Sequence, residues 1–346
     1  MVRQPGASEC KDRARASRTR RARAGTVALA ALAAALLAGA AAATLAPAAS
    51  TGGAGTTSET GHFAVGLRVL KLVDRSRTIV LDGRRQPRTL VTYVRYPAIG
   101  PAGASDLANA PPATASGPYP LVVFGHGFGV TPAIYASLLQ SWARAGFVVA
   151  APVFPLGNAD TPGGAQESDV INQPGDMSFV ITSMLALSGA PAGTSTFAGL
   201  VDPSRVAVAG HSDGAESALA VAYSRRYRDP RVRASVILSG AEMSGIGGYS
   251  YPSGSPPLLA VQGTADTFNE PQYTYTYFRH ARRPKYLLRL IGAEHLPPYT
   301  VEQPQLSIVE RVSIAFLRSY LTSRGPLSSI GRLPLAPAFA SLASEP

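Results

Sequence analysis

The chain has 346 residues and a formal net charge of +11, from 32 Lys and Arg against 21 Asp and Glu. Six of those eleven charges fall in residues 1–24, and the +5 left for the remainder is an ordinary surface that argues against nucleic acid as a partner. The one cysteine, Cys10, lies in that same basic stretch, so the rest of the chain has neither a disulfide nor a thiol nucleophile.

The basic segment is followed by an uncharged Ala/Leu run from Thr26 to Ala46 and then by Ala46-Pro47-Ala48, a small-residue cleavage site. Residues 1–48 therefore read as a secretory signal peptide. A retained N-terminal anchor is the alternative, because the apolar run is long enough to span a bilayer, and it is the only membrane contact the sequence suggests. Either way the basic flank stays inside and the remaining chain is secreted or extracytoplasmic. Residues 49–60 are a flexible polar linker, 61–323 have the length of one large α/β domain, and 324–346 read as a C-terminal tail.

The domain opens with alternation: Phe63, Val65, Leu67 and Val69, then Thr78 to Leu81, then Leu90 to Tyr96, which predicts antiparallel strands joined as hairpins. From Ala98 to Pro118 the Pro/Ala/Gly/Ser composition predicts a surface loop. Strands and helices then alternate. Apolar runs at 121–124, 147–151, 206–209, 234–238, 258–262 and 286–291 are separated by helical patterns at 132–145, 176–188, 213–223, 270–278 and 305–320. Near-continuous apolar strands between helices predict a mostly parallel sheet covered on both faces, with chemistry at the carboxyl ends of its strands.

One of those ends holds Gly210-His211-Ser212-Asp213-Gly214. In a chain with 34 glycines the bare G-x-S-x-G pattern carries little weight. The strand before it and the helix after it make it a nucleophile elbow, a sharp turn that exposes Ser212 while flanking glycines let strand and helix pass closely.

The base follows by elimination among five histidines. His62 is far from any strand end, His211 should be packed beneath the turn, His126 shapes a Gly-rich loop, and His280 ends a helix where a cation caps carbonyls. His295 alone sits in a loop after the last parallel strand, where a neutral imidazole can take the serine proton and return it to the leaving group. Asp266, in a compact turn after 258–262, is favoured over Glu242 as the carboxylate that orients the ring. The backbone N–H groups of Phe128 and Asp213 are the expected oxyanion donors. The acidic side chain of Asp213 is unexpected beside a developing negative charge and should turn toward solvent or a helix N–H. No HExxH, Cys/His cluster or phosphate-binding Gly loop followed by Lys is present, so neither metal nor nucleotide cofactor is implied.

Together the stretch from Pro120 to Phe128, the Ser212 elbow, Asp266 and His295 resemble the α/β-hydrolase superfamily. The likeness is strongest to the branch of dienelactone-hydrolase-like, chlorophyllase-like and cutinase-like polyester hydrolases and platelet-activating-factor acetylhydrolases. Pro174 to Val180 also resembles the helix that these proteins carry before the elbow. The resemblance implies the α/β-hydrolase fold and hydrolysis of lipid, pigment or polyester esters, with Ser212, Asp266 and His295 as triad and Phe128 and Asp213 as oxyanion donors. An acyltransferase with the same triad and a non-catalytic surface protein on the same scaffold are the alternatives.

Overall fold

The computed structural model describes residues 63–81, 83–322, 330–331 and 333–346. The signal or anchor segment, the linker, Cys10 and His62 lie outside the described residues.

Strands β1 (Ala64–Leu81) and β2 (Arg84–Ala98) form one antiparallel hairpin, with Ala64 opposite Ala98 and Leu81 opposite Arg84. The sequence suggests two strands here, but the structure has one strand with a register slip between Asp74 and Thr78. Asp74 explains the difference. Its carboxylate accepts hydrogen bonds from Ser76 N (2.9 Å), Ser76 Oγ (2.6 Å) and Arg77 Nε (2.6 Å), so the polar insertion closes on itself as a bulge.

After the two-residue β3 (Leu107–Ala108) come β4 (Tyr119–Gly125), β5 (Val148–Pro152), β6 (Val201–His211), β7 (Val232–Leu238), β8 (Leu258–Gly263) and β9 (Lys285–Leu290). These last six run parallel, in the order β9-β8-β7-β6-β4-β5, and β2 continues the sheet antiparallel to β5. On the other edge, β10 (Ala340–Glu345) pairs antiparallel with β9. That strand corrects the reading of 324–346 as a tail. Ala340 is buried and Leu342 packs on the core, yet the small and polar residues around them give no strand signal.

Among the described residues, five helices cover the sheet: α1 (Ala136–Arg144), α2 (Gln173–Gly189), α3 (Asp213–Tyr223), α4 (Pro271–His280) and α5 (Gln305–Leu321). Alternation along the strands decides which layer each residue feeds. Leu121, Val123, Val206 and Val208 pack with Met177, Ile181, Leu219 and Tyr277 from α2, α3 and α4. Val122, Phe124, Ala207 and Ala209 pack on the opposite face with Leu139, Trp142, Val312 and Phe316 from α1 and α5. Both faces are buried under helices, which is why the strands read largely as apolar runs.

The chain leaves β4 toward β5 on one side and returns to β6 on the other. Loops after β4 and β6 therefore diverge over a crevice at the carboxyl ends of these two strands, the usual place for a site in such a sheet. None of the helices among the described residues is long and apolar enough to cross a membrane.

Candidate active site

Strand β6 delivers the chain into α3 with a single residue between them, Ser212, whose backbone is at φ 55° and ψ −123°. A positive φ is uncommon for a side-chain-bearing residue and marks stored strain. The neighbouring glycines make the turn possible. A Cβ on Gly210 would land on the carbonyl of Gly214, and one on Gly214 would land on the carbonyl of Gly125 in β4. The Ser212 N–H donates to Leu238 O at 3.1 Å, which ties the turn to the end of β7.

The loop after β9 brings His295 to this serine. His295 Nε2 lies 2.9 Å from Ser212 Oγ, and His295 Nδ1 lies 2.8 Å from Asp266 Oδ2 in the loop after β8. The carboxylate can only accept, so Nδ1 carries the proton and Nε2 is left to accept from the serine hydroxyl. Asp266 is itself fixed: Oδ1 accepts from the N–H groups of Phe268 (2.9 Å) and Asn269 (3.0 Å), and Oδ2 accepts weakly from Gln262 Nε2 (3.3 Å). Its side chain is fully buried, while the His295 side chain keeps 13% of its surface exposed.

The Gly-rich loop after β4 lies against Ser212, because a Cβ on Gly127 would come within 3.2 Å of Ser212 Cβ. His126 shapes this loop, and its ring accepts at Nε2 from Phe154 N–H (2.9 Å) and donates from Nδ1 to Gly127 O (2.8 Å). Burial holds its pKa down at about 4, so the ring is neutral and this tautomer persists. A peptide unit is planar and trans, so pinning the Gly127 carbonyl also aims the Phe128 N–H away from His126. Among the described residues, no acceptor meets the N–H of Phe128 or that of Asp213, the first residue of α3.

Asp213 departs from expectation. Its carboxyl turns neither to solvent nor to a helix N–H: the residue is buried, and Oδ2 has no hydrogen-bond partner. Burial, with Glu167 and Glu216 nearby, raises its pKa well above the usual carboxylate range. The shift favours the neutral acid over the carboxylate at this position.

Two comparisons with known proteins bear on this arrangement. A family model described as Chlorophyllase matches residues 101–247, which include Phe128 and the Ser212 elbow but neither Asp266 nor His295. No curated protein matches. Among solved structures, a ferulic acid esterase from Streptomyces cinnamoneus superposes with a TM-score of 0.61 at 21% identity, over 82% of this chain and 96% of that one. The chain has the α/β-hydrolase fold, and its residues 101–247 resemble the Chlorophyllase family.

Within this fold, Glu242 stands apart from the site. Its Oε1 accepts from Tyr251 OH at 2.7 Å, and with Tyr249, Arg279, His280 and Arg282 it lines a separate cavity of about 420 Å³. Glu294 is exposed beside His295. Three residues around the site escape sequence reasoning. Tyr135 donates beneath the elbow, Gln262 braces Asp266, and Asn269 Nδ2 donates to Ser239 O at 2.6 Å. Their only signal is position, since each belongs to a segment that reads as ordinary strand, helix start or loop. Phe268 is also unforeseen. It is 55% exposed, and its ring lies 5.2 Å from that of His295 at an interplanar angle of 30°.

Proposed function

We propose that this chain of α/β-hydrolase fold is a secreted serine carboxylic ester hydrolase that works through an acyl-enzyme on Ser212. The observation that carries the reading is the continuous hydrogen-bonded path from the strained Ser212 through His295 to Asp266, with two backbone N–H groups, of Phe128 and Asp213, that meet no acceptor among the described residues. The structural neighbour named an esterase and the match to the Chlorophyllase model agree with ester chemistry.

The steps follow from the donor and acceptor assignments. Ser212 Oγ attacks the ester carbonyl carbon as its proton passes to His295 Nε2. Charge develops on the carbonyl oxygen, which the N–H groups of Phe128 and Asp213 receive. Asp266 holds the ring in the required tautomer and stabilises the imidazolium. The C–O bond to the alcohol then breaks, and Nε2 returns its proton to the departing oxygen. Water attacks the acyl-enzyme by the same route, releasing the acid and restoring Ser212.

Because the alcohol oxygen must take its proton from His295, the alcohol portion of the substrate lies beside that ring. The half-exposed ring of Phe268 lies beside His295 and offers an apolar surface there, which suits an ester of an apolar alcohol. Export is proposed on the basic 1–24 segment, the apolar run to Ala46 and the Ala46-Pro47-Ala48 site.

Labelling with a fluorophosphonate probe tests the core of the reading, because the probe needs a serine activated by an assembled base. The folded protein is expected to label at Ser212 and to lose both labelling and p-nitrophenyl ester hydrolysis in Ser212→Ala. Labelling that survives this substitution rules the assignment out.

A further inference from the structure

His211 immediately precedes the nucleophile, yet its ring does not approach the Ser212 hydroxyl. It is 2% exposed and packed between three other rings, with centroids 4.6 Å from His295, 5.0 Å from Tyr299 and 5.6 Å from Tyr135. Both ring nitrogens are engaged. Nε2 is 2.8 Å from the backbone carbonyl of His295, and Nδ1 is 2.8 Å from Tyr135 OH.

The polarity of this chain is fixed at one end. A carbonyl cannot donate, so Nε2 carries the ring proton and donates to His295 O. Nδ1 is then a lone pair, and Tyr135 OH must donate to it. The oxygen of that hydroxyl accepts in turn from the Gly127 N–H at 3.3 Å. The path therefore runs from Gly127 N–H to Tyr135 O–H to His211 Nδ1, and on from His211 Nε2–H to the His295 carbonyl. It joins the loop after β4 to the loop after β9, with partners 8, 76 and 84 residues apart in sequence. Among the described residues, His211 is the one donor that reaches the His295 carbonyl.

We propose that His211 is a positioning residue which, with Tyr135, ties the loop carrying Phe128 to the loop carrying His295 and so fixes the base relative to the oxyanion donors. The inference rests on the roles given above to Ser212, His295 and Asp266. It adds a role for two side chains that touch neither substrate nor the reacting atoms. Neutrality of His211 is part of the arrangement, because a charged ring at this distance would oppose the imidazolium that forms on His295. Burial, and then the proximity of His295, hold its pKa well below the ordinary value.

Three substitutions separate the links. His211→Phe keeps a ring of similar size and removes both hydrogen bonds. His211→Gln keeps a donor at the reach of Nε2, and Tyr135→Phe removes only the middle hydroxyl. With p-nitrophenyl butyrate as substrate, His211→Phe is expected to lower kcat about 10- to 100-fold with KM nearly unchanged, the pattern for a reacting group displaced by a fraction of an ångström. His211→Gln should recover most of that loss. Tyr135→Phe should lower kcat less, and adding it to His211→Phe should cost nothing further, because both act in one chain.

A kcat within about twofold of wild type in folded His211→Phe overturns the proposal, as do independent, multiplicative losses in the double variant. If His211→Phe does not fold, Tyr135→Phe and His211→Gln decide by the same split of kcat from KM and the same additivity. Ser212→Ala keeps the two questions apart: hydrolysis that survives it defeats the esterase reading, whatever the His211 variants do.

Discussion

Asp266 is held by two backbone N–H groups and Gln262 besides His295, whereas Glu242 is held by a tyrosine hydroxyl in a different cavity. A carboxylate fixed in this way orients a ring; one that faces another cavity cannot. Asp266→Asn is expected to leave the fold intact and cut kcat roughly 10³- to 10⁴-fold, since an amide favours the wrong tautomer and does not stabilise the imidazolium. Glu242→Gln should leave kcat within about twofold, as for a substitution remote from the reacting groups. The reverse ranking on a soluble p-nitrophenyl ester would move the acid to the loop after β7. Ser212, His295 and Asp266 were legible because each is a chemically distinctive residue in the loop after a strand. Tyr135 and Gln262 were not, because a tyrosine at a helix start and a glutamine at a strand end announce nothing until the partners they reach are known.

At the scale of elements, the apolar runs of β4, β5 and β8 were legible because strands buried on both faces carry few polar residues. The bulge in β1 and the strand β10 were not, because a bulge resembles a gap and an edge strand needs only one apolar face. The segment between β5 and α2 shows what else sequence hides. Buried Arg88 donates from Nη1 and Nη2 to Asp169 (3.0 and 2.7 Å) and from Nε and Nη2 to Asp176 (both 2.6 Å). This joins the β1–β2 hairpin to the segment that enters α2, where Glu167 approaches Asp213. Arg88→Met would leave the buried Asp169 without a cation and Asp176 with only Arg77, and is expected to cost about 3 to 5 kcal/mol. Removing the exposed pair Arg283–Glu345, with side chains 69% and 38% accessible, should cost about 0 to 1 kcal/mol by the same urea titration. A loss below that of the exposed pair would show that Arg88 does not organise this segment.

For the molecule as a whole, stability in mild acid depends on buried groups that titrate in opposite directions. His126 has its pKa lowered to about 4 and His211 lowered well below 6.5, both by burial first. As pH falls from 6.5 the unfolded chain takes up protons that these two folded rings refuse, so they draw stability down. Asp213 and Asp176 are raised above 3.8, again by burial first. Above that value the folded protein keeps protons that the unfolded chain releases, so these two groups cost stability as pH rises and restore it as pH falls. Between about pH 4 and 6.5 the two pairs offset each other. Asp213→Asn removes one acid from that balance while keeping size and shape. The variant is therefore expected to be more stable than wild type at pH 7 and to lose that advantage steadily toward pH 4, so its stability falls more steeply on acidification. Urea denaturation at a series of pH values measures this directly. If the two curves run parallel from pH 7 to 4, Asp213 is ionised in the folded protein, and a carboxylate rather than a neutral acid stands beside the oxyanion position.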